Sequence, residues 1–478
     1  MKNQIQLNVD QNEALMAIED FLRVPTMDAF VLCGSAGTGK TTLVARIIEM
    51  ANRFNLSSLL VAPTGRAARI LEEKLDNLLP SELGPIDVST IHRAIYYMAS
   101  MSVDEDQSAL YLDFPVRQRG ASFDLIIVDE ASMVGDTGMF QGSIRFGSGR
   151  LLSDLMRYVD KIYQEGLVSR PIKLLFVGDL AQLPPVGSDY SPALLPDYLH
   201  DRFGLQVSKY ELTTVMRQSH KSNILSLANT VREQIFGTSA ESFHIDYNET
   251  DLRLISFEVA VQAIVSNVIN QRSSVAVVYS NRTALSYNLA IRQKLWGDAQ
   301  RELMSGDTLL VTRNCPILGF SNGDLARVSA VQSAPLKEVV HLPNGFEIPL
   351  MFIEVRLQMD NASNEPQFIN CLVLLNLLFS HERELSDDQQ FALYELLRRR
   401  HAYVGPDSAE FSELMQTDPY YNALQVKFGY ALTCHKAQGG EWDQVIVDPN
   451  GLQMNSEKDY RWLYTAVTRA SESLLLVE

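Results

Sequence analysis

The chain has 478 residues, of which 46% are hydrophobic and 21% are charged, a composition typical of a globular protein and not of a disordered one. The formal net charge of −17 argues against a protein that coats nucleic acid indiscriminately, although a local basic channel remains compatible with it. No apolar run reaches the length of a membrane span, and residues 1–10 lack a secretory signal pattern.

From these features we expect a cytoplasmic protein without a membrane partner, built from about two to four domains. The four cysteines are far apart in the sequence and lack metal-ligand spacing, so we expect reduced thiols. They are Cys33, Cys315, Cys371 and Cys434.

The first predicted strand, residues 29–33, leads into a glycine-rich loop, and a helical pattern follows at 43–50. This order predicts a phosphate-binding loop, because glycines let backbone N–H groups wrap a polyphosphate. Lys40 is expected to reach the terminal phosphates, and the Thr41 hydroxyl is expected to bind Mg²⁺. A glycine-rich turn without a ligand is the alternative. The predicted nucleotide-binding residues of the loop are Gly37, Thr38, Gly39, Lys40, Thr41 and Thr42.

Apolar strands and helices then alternate along the chain. We predict strands at 58–62, 125–128 and 174–177 and a helix at 66–75. This alternation indicates an α/β fold with a mainly parallel sheet, whose ligands bind at the carboxyl ends of the strands.

Two of these strand ends carry further polar groups. Asp129 and Glu130 follow the strand at 125–128, where the first acid can hold Mg²⁺ and the second can activate water. A simple acidic helix cap is the alternative. Gln182 lies just beyond the strand at 174–177, where its amide can contact the γ-phosphate or the attacking water.

A second alternating set has strands at 274–279, 444–447 and 473–477 and contains no phosphate loop. Between its parts, residues 308–426 hold short β-rich segments, at 308–311, 327–331 and 352–357, and then a helical pattern around 387–400. This composition indicates an inserted accessory domain.

The order of the motifs resembles that of superfamily 1B helicases, in the group of RecD and the phage Dda helicase. The resemblance covers nearly the whole chain and rests on eight segments besides the phosphate loop. They are Asp10-Gln11, residues 62–68, 89–92, 129–130, 178–186, 212–218, 433–439 and 464–470.

The resemblance implies two RecA-like parallel-sheet domains with an inserted β-hairpin pin and an SH3-like β-barrel accessory domain. The implied boundaries are 1–205 for the first RecA-like domain with the pin at 98–123, 206–307 and 427–478 for the second, and 308–426 for the accessory domain. It also implies a DNA helicase that requires ATP and Mg²⁺ and moves 5′ to 3′ on single-stranded DNA. Such an enzyme would act as a monomer at junctions of single- and double-stranded DNA, and its possible partners are replication or repair proteins.

Individual residues acquire roles through the same resemblance. Gln11 would read adenine, while Arg217 and Arg469 would stabilise the charge that develops during hydrolysis. Such arginine fingers raise rates by roughly 10³ to 10⁵. If both arginines lie on the second α/β domain, ATP binding would close the cleft between the domains. Without the motifs, a solvated surface arginine would be the better interpretation.

Single-stranded DNA is held by polar contacts to phosphates and by stacking on the bases. The residues at matching positions are Pro63, Thr64, His92, Ser280, Asn281, Thr433, His435 and Lys436. A lone histidine is more often packed or solvated, so this interpretation also stays open for His92 and His435.

Three segments have open interpretations. In the expected pin, Tyr111 and Phe114 are either wedge residues or part of a surface hairpin. The helical part with the run at 398–400 braces the pin, contacts DNA or forms a solvated helix face. Residues 137–171 are longer than the family's usual connection and are assigned no function.

Other functions remain as alternatives. A translocase that strips proteins from DNA without efficient unwinding would share this fold. An ATP-switched binding module would not need the hydrolytic residues Glu130, Gln182, Arg217 and Arg469. A small-molecule kinase with the same loop would not need the late motifs at 433 and 464.

Overall fold

The computed structural model describes residues 7–80, 83, 86–104, 109–118, 123–138, 144–166, 171–216, 222–238, 243, 245, 247, 250–360 and 366–478. The chain forms two compact units. The first contains Met1–Ala99, Asp113–Ile245 and Met454–Thr468, and the second contains Ser100–Leu112, Asp246–Gln453 and Arg469–Glu478. Among the described helices, none has both the length and the apolar character needed to cross a membrane.

The helices of the described residues are, in chain order, α1 (Val9–Arg23), α2 (Lys40–Arg53), α3 (Gly65–Leu78), α4 (Ile91–Ile95), α5 (Leu151–Gln164), α6 (Pro196–Phe203), α7 (Asn223–Ile235), α8 (Phe257–Ile269), α9 (Asn281–Trp296), α10 (Asp387–Arg400), α11 (Ala409–Thr417), α12 (Cys434–Ala437) and α13 (Glu457–Val467).

The strands are β1 (Ala29–Gly34), β2 (Ser58–Ala62), β3 (Asp87–Thr90), β4 (Ser100–Asp104), β5 (Ala109–Phe114), β6 (Leu125–Val128), β7 (Ile144–Phe146), β8 (Lys173–Gly178), β9 (Val207–Leu212), β10 (Leu252–Ile255), β11 (Ser274–Val278), β12 (Thr308–Val311), β13 (Leu325–Val331), β14 (Leu336–His341), β15 (Glu347–Asp360), β16 (Pro366–Leu374), β17 (Leu424–Phe428), β18 (Ala431–Thr433), β19 (Trp442–Asp448) and β20 (Ala470–Val477).

The first unit is built on a parallel sheet with the strand order β3-β2-β6-β8-β1-β9. The central strands β1, β6 and β8 are buried along their whole length, as their uninterrupted apolar sequences predict for a sheet covered on both faces. Separate apolar clusters pack on the two faces, one with α1 and α2 and the other with α5. The edge strand β9 lies beyond residue 205, where the sequence placed the end of the first domain.

The second unit holds another parallel sheet, ordered β10-β20-β19-β11-β18. Its α8 and α9 share one apolar cluster with β11 and with strands of the inserted region. The mixed α/β class with parallel sheets is therefore confirmed. The four cysteines are free thiols and are buried.

The inserted region forms a largely antiparallel sheet, ordered β13-β12-β17-β16-β15-β14. The long β15 pairs with β13 as well as with β14 and β16, so hydrogen bonding runs from β13 through β12, β17, β16 and β15 back to β13. In a separate three-stranded sheet, β5 lies between β4 and β7.

A buried ion pair lies where α9 leads into the inserted region. The side chains of Arg292 and Asp307 are both fully buried, with Nε of the arginine 3.1 Å from Oδ1 of the aspartate. The Asp307 carboxylate also accepts hydrogen bonds from Trp296, Tyr430 and the amide of Met304. The Arg292 guanidinium lies over the ring of Phe428, 4.2 Å from its centroid. A buried charge with this many partners becomes costly if one partner is removed.

We expect Arg292→Met to lower the free energy of unfolding by about 3 to 5 kcal/mol, because the substitution leaves the Asp307 carboxylate buried without its counter-ion. Arg399→Met is the matched control, since Arg399 pairs with Glu338 but its side chain is 52% exposed, and its loss should cost less than about 1 kcal/mol. Denaturant unfolding of the two variants provides the comparison. Equal losses would contradict a dominant role for the buried pair.

Candidate functional site

The first sheet brings three sequence motifs to one edge. Strands β6, β8 and β1 are neighbours, with Val128 paired to Phe176 and Cys33 paired to Gly178. The phosphate loop, the acid pair Asp129–Glu130 and the segment that begins at Asp179 follow these strands directly. Parallel strands end at the same edge, so the three motifs share one site, as the sequence predicted.

The phosphate loop depends on glycine at two positions. Gly37 and Gly39 have φ angles of 81° and 80°, which side chains rarely adopt. A Cβ atom on Gly39 would also lie 2.4 Å from the Nε2 atom of Gln11. Thr38, fully buried between the two glycines, donates its hydroxyl to the carbonyl of Ser35 at 2.9 Å. These contacts fix the loop shape.

Both polar atoms of the Gln11 side chain form hydrogen bonds with backbone groups of the protein. Its Nε2 donates to the carbonyl of Thr38 at 2.9 Å, and its Oε1 accepts from the amide of Asn8 at 3.1 Å. The side chain is 3% exposed and completes a capping box at the start of α1. Gln11, which the family resemblance assigned to adenine, thus braces the phosphate loop in this structure.

The loop cation and hydroxyls lie at the start of α2. Lys40 Nζ donates to the carbonyls of Gly34 at 2.8 Å and Ser35 at 3.1 Å. Thr41 and Thr42 follow in the first helical turn and are partly exposed. Helix α2 begins directly after the same loop, and a helix N-terminus favours an anion.

Two carboxylates follow β6 directly. Burial and the neighbouring charge of Glu130 raise the pKa of Asp129, and the charge of Lys40 acts in the opposite direction. Glu130 has a φ angle of 49°, a left-handed conformation that costs energy for a residue with a side chain. Such strain at a strand end is typical of functional sites, so it supports a chemical role for this pair over a simple helix cap.

Gln182 lies in a buried turn after β8 and is 3% exposed. Within the described residues its Oε1 atom has no hydrogen-bond partner. The turn is set by Asp179, whose Oδ1 accepts the amide of Ala181 at 3.0 Å. A buried acceptor without a partner is costly, and it would be satisfied by a donor such as a water molecule or a ligand group.

Asp179 is fully buried, and the sequence assigned no role to its carboxylate. It accepts hydrogen bonds from Arg232 Nη1 at 2.9 Å and from the Tyr464 hydroxyl at 2.7 Å. Neither Arg232 nor the tyrosine hydroxyl was singled out from the sequence. The three residues are so far apart along the chain that no local pattern links them.

Arg217 lies outside the described residues. The segment before it belongs to the first unit, where the amide of Met216 donates to the carbonyl of Gly37 at 2.8 Å. Asp10 accepts the amides of Thr213 and Thr214, each at 2.8 Å. The sequence expected this segment on the second α/β domain, but β9 joins it to the first sheet.

Arg469 belongs to the second unit and directly precedes β20. It is 6% exposed, and its Nη1 donates to the carbonyl of Gly440 at 3.2 Å. This contact joins Arg469 to the residue that directly follows the segment at 433–439.

The predicted DNA-binding residues of the first unit lie at the ends of two adjacent strands. Ala62 of β2 pairs with Thr90 of β3. Pro63 and Thr64 follow β2, where Thr64 caps α3 by accepting the amide of Ala67 at 3.2 Å. His92 lies in α4, directly after β3.

His92 packs in an aromatic cluster. Its ring lies 4.8 Å from that of Phe146 and 5.7 Å from that of Tyr96. Burial lowers the pKa of His92 to about 4, so the imidazole is neutral at neutral pH and does not attract phosphate by charge. Phe114, a candidate wedge residue, also packs on Phe146, at 5.0 Å.

The segment 137–171 supports this cluster. Besides Phe146 in β7, it supplies Asp154, which is fully buried. The Asp154 carboxylate accepts the Tyr96 hydroxyl and the amide and hydroxyl of Ser148, each at 2.8 Å. Phe146 and Asp154 of this segment therefore pack around His92 and Tyr96, a role that the sequence did not reveal.

The second unit repeats the arrangement of two adjacent strand ends. Val278 of β11 pairs with Thr433 of β18. Ser280 and Asn281 follow β11, and Ser280 caps α9 by accepting the amide of Thr283 at 3.1 Å. His435 and Lys436 lie in α12, directly after β18, and His435 is exposed.

Lys436 lies in a cluster of cations. Asn281, Thr433, Lys427 and Lys436 line one pocket. Burial and then the nearby charges of Lys427 and Arg383 lower the pKa of Lys436 to about 8. Burial also lowers the pKa of Lys427 to about 8. Cations crowded in this way favour an anion beside them, and Lys427 was not identified from the sequence.

Two family models match the chain. The model described as an AAA domain matches residues 22–188, and the model described as a UvrD-like helicase C-terminal domain matches residues 428–477. The first covers the phosphate loop, the acid pair and Gln182, and the second covers the late motifs.

Among curated relatives, an uncharacterized protein of Acanthamoeba polyphaga mimivirus is 21% identical over 98% of this chain and 99% of its own length. The RecBCD enzyme subunit RecD of Mycobacterium tuberculosis is 30% identical over 42% of this chain. The matched region covers only 31% of the length of that subunit. The chain is also similar to the Pif1 helicase from Bacteroides, in complex with ADP-AlF3 and ssDNA, at 17% identity, with coverage of 99% and 92% of the two chains and a TM-score of 0.44. A TM-score this low adds no weight to an assignment.

The family models lie in the same order as the motifs that resemble superfamily 1B, and RecD is among the relatives. These matches support the resemblance of the chain to the superfamily 1B helicases, in the RecD- and Dda-like group.

Proposed function

We propose that this protein is a DNA helicase that uses ATP hydrolysis to move along single-stranded DNA and to separate duplexes at junctions. The observation that carries the proposal is the shared edge of β1, β6 and β8, where the phosphate loop, the acid pair and Gln182 meet. A nucleotide switch without rapid hydrolysis would need the loop but not the strained Glu130 or the buried Gln182.

In the proposed reaction, a water oxygen attacks the γ-phosphorus, the bond to the bridging oxygen of ADP breaks, and Glu130 accepts a proton from the water. The unpartnered Oε1 of Gln182 accepts a second hydrogen bond from this water and orients it. Lys40 and the amides of residues 37–42 hold the phosphates.

Mg²⁺ would neutralise the phosphate oxygens when bound. Thr41 and Asp129 would hold it, a hydroxyl and a carboxylate that suit this oxygen-seeking cation. The raised pKa of Asp129 fits a carboxylate crowded by Glu130, because a divalent cation beside the pair would offset their mutual repulsion. Arg217 and Arg469 are proposed to stabilise the developing charge.

The proposed DNA path uses one group of residues in each unit. Pro63, Thr64 and His92 lie at adjacent strand ends of the first sheet, and Ser280, Asn281, Thr433, His435 and Lys436 lie at adjacent strand ends of the second. Movement along single-stranded DNA requires a DNA-binding site on each of two units that can bind and release in turn. The neutral, aromatic-packed His92 suits contact with a base or sugar better than an ionic contact with phosphate.

The finer parts of the family architecture also belong to the proposal. The hairpin of β4 and β5, in residues 98–123, would be the pin that splits the duplex, and the strands β12 to β17, in residues 308–426, would be the SH3-like accessory domain. Movement from 5′ to 3′ follows from the family alone, as do partners in replication or repair. The domain limits proposed from the sequence need adjustment, because β9 belongs to the first sheet.

The direct test is ATP hydrolysis with and without single-stranded DNA. We expect DNA to stimulate the parent protein strongly, Glu130→Gln to lower kcat by about 10² to 10⁴, and Lys40→Ala to lower it by at least about 10². Glu165→Gln is the matched control, because Glu165 is exposed at the end of α5, and its kcat should equal the parent value.

Slow ATP hydrolysis that single-stranded DNA does not stimulate would refute the proposal and favour an ATP-switched binding module. If hydrolysis responds to DNA but forked duplexes stay paired, the protein is a translocase without efficient unwinding.

The lowered pKa of Lys436 predicts a pH dependence of DNA binding. A phosphate needs the protonated lysine, and that form is lost as the pH rises through about 8. The dissociation constant for single-stranded DNA should therefore rise between pH 7 and 9 at constant ionic strength. Lys436→Arg should flatten this rise, because arginine stays charged. Identical pH profiles for the parent and the variant, measured by fluorescence anisotropy, would exclude Lys436 from phosphate contact.

A further inference from the structure

Helix α13 presents three polar side chains, at positions 461, 464 and 465, to the segment 179–183. The Thr465 hydroxyl accepts the amide of Leu183 at 2.9 Å. Arg461 Nη1 donates to the carbonyls of Leu180 and Gln182. Residues separated by three or four positions lie on one face of a helix, so a single face of α13 contacts this short segment along its backbone.

The third side chain, Tyr464, joins this segment to the phosphate loop. Its hydroxyl donates to Asp179 Oδ2 at 2.7 Å and accepts the amide of Ala36 at 3.2 Å. The tyrosine is 1% exposed. Burial and the charge of Asp179 raise its pKa well above the usual value for tyrosine, so the hydroxyl keeps its proton and can fill both roles.

Arg232 of α7 completes the arrangement from another direction. Its guanidinium pairs with Asp179 at 2.9 Å and with Glu211 of β9 at 2.7 Å. Asp179, without solvent contact, thus has its charge balanced by Arg232 and its remaining lone pairs satisfied by Tyr464 and the amide of Ala181. A buried carboxylate satisfied by so many donors holds its position rigidly.

The side chain that this arrangement leaves unsatisfied is that of Gln182. The backbone on both sides is fixed, by Asp179 before it and by Leu183 after it, while Oε1 of the buried amide lacks a partner in the described structure. The backbone position of Gln182 is therefore fixed jointly by Asp179 and by α13.

We infer that Arg461, Tyr464 and Thr465 form a positioning face on α13. This face holds the Gln182 amide within hydrogen-bond reach of the attacking water. This inference rests on the proposed function and adds residues to it. Arg461 and Thr465 contact the segment that carries Gln182, so their removal should lower the rate of hydrolysis and leave the KM for ATP nearly unchanged. Tyr464 also contacts the phosphate loop, so its removal should change both. The late motif thereby has a second role besides supplying Arg469.

The test is a double-mutant cycle in DNA-stimulated hydrolysis. Thr465→Val keeps the side-chain shape but leaves the Leu183 amide without its acceptor. We expect kcat to fall by about tenfold while the KM for ATP stays within about twofold. Thr465→Ser keeps the hydroxyl and should restore most of kcat. Tyr464→Phe should lower kcat through Asp179 and also change the KM for ATP through the phosphate loop.

In a Gln182→Ala background, Thr465→Val should cause no further loss of kcat, because the group that it positions is already gone. Thr230→Val is the matched control, since the Thr230 hydroxyl donates to Ser226 within α7, and its effect on kcat should be small in either background.

Equal fold losses from Thr465→Val with and without Gln182 would overturn the inference, as would a raised KM at unchanged kcat. These results differ from failure of the proposed function, in which the parent protein itself would lack DNA-stimulated hydrolysis.

Discussion

The first unit depends on the buried carboxylate of Asp179. A charge without solvent contact must be matched by donors, and those donors come from α7, from α13 and from the turn that follows β8. Because Tyr464 also accepts an amide of the phosphate loop, one carboxylate fixes the relation between the phosphate loop, the turn that carries Gln182 and the helix that precedes Arg469. A displacement of the phosphate loop, of the turn or of the helix would therefore shift the other two as well.

Parallel sheets explain why the remaining residues proposed to be functional occur where they do. In the first sheet, β1, β6 and β8 end at the nucleotide motifs, while the edge strand β3 and its neighbour β2 end at His92 and Thr64. In the second sheet, β11 and β18 end at a second polar group, beside which Lys427 and Lys436 lie. The second unit thus repeats the arrangement of an edge strand and its neighbour but lacks a phosphate loop, in keeping with the proposal of one ATP site and two groups of DNA-binding residues.

The buried strands were predictable because their apolar runs are continuous. Those at 58–62, 125–128 and 308–311 were predicted with the bounds that the structure has. By contrast, β9 mixes polar with apolar residues and is only partly buried, and β7 has only three residues, so neither was recognised from the sequence. The motif residues were found in order, but Asp179, Arg232 and Tyr464 meet only after folding. The environment of His92 also depends on Phe146, a residue from a segment without a recognisable pattern.

The central claim is that hydrolysis moves this protein along a DNA strand. The most direct measurement follows the arrival of the protein at a dye-labelled end of oligonucleotides of increasing length, by stopped-flow fluorescence after addition of ATP. The account predicts an arrival time that grows in proportion to length when the dye is on one end, and no such growth for the Lys40→Ala variant. An arrival time independent of length at both ends would contradict it.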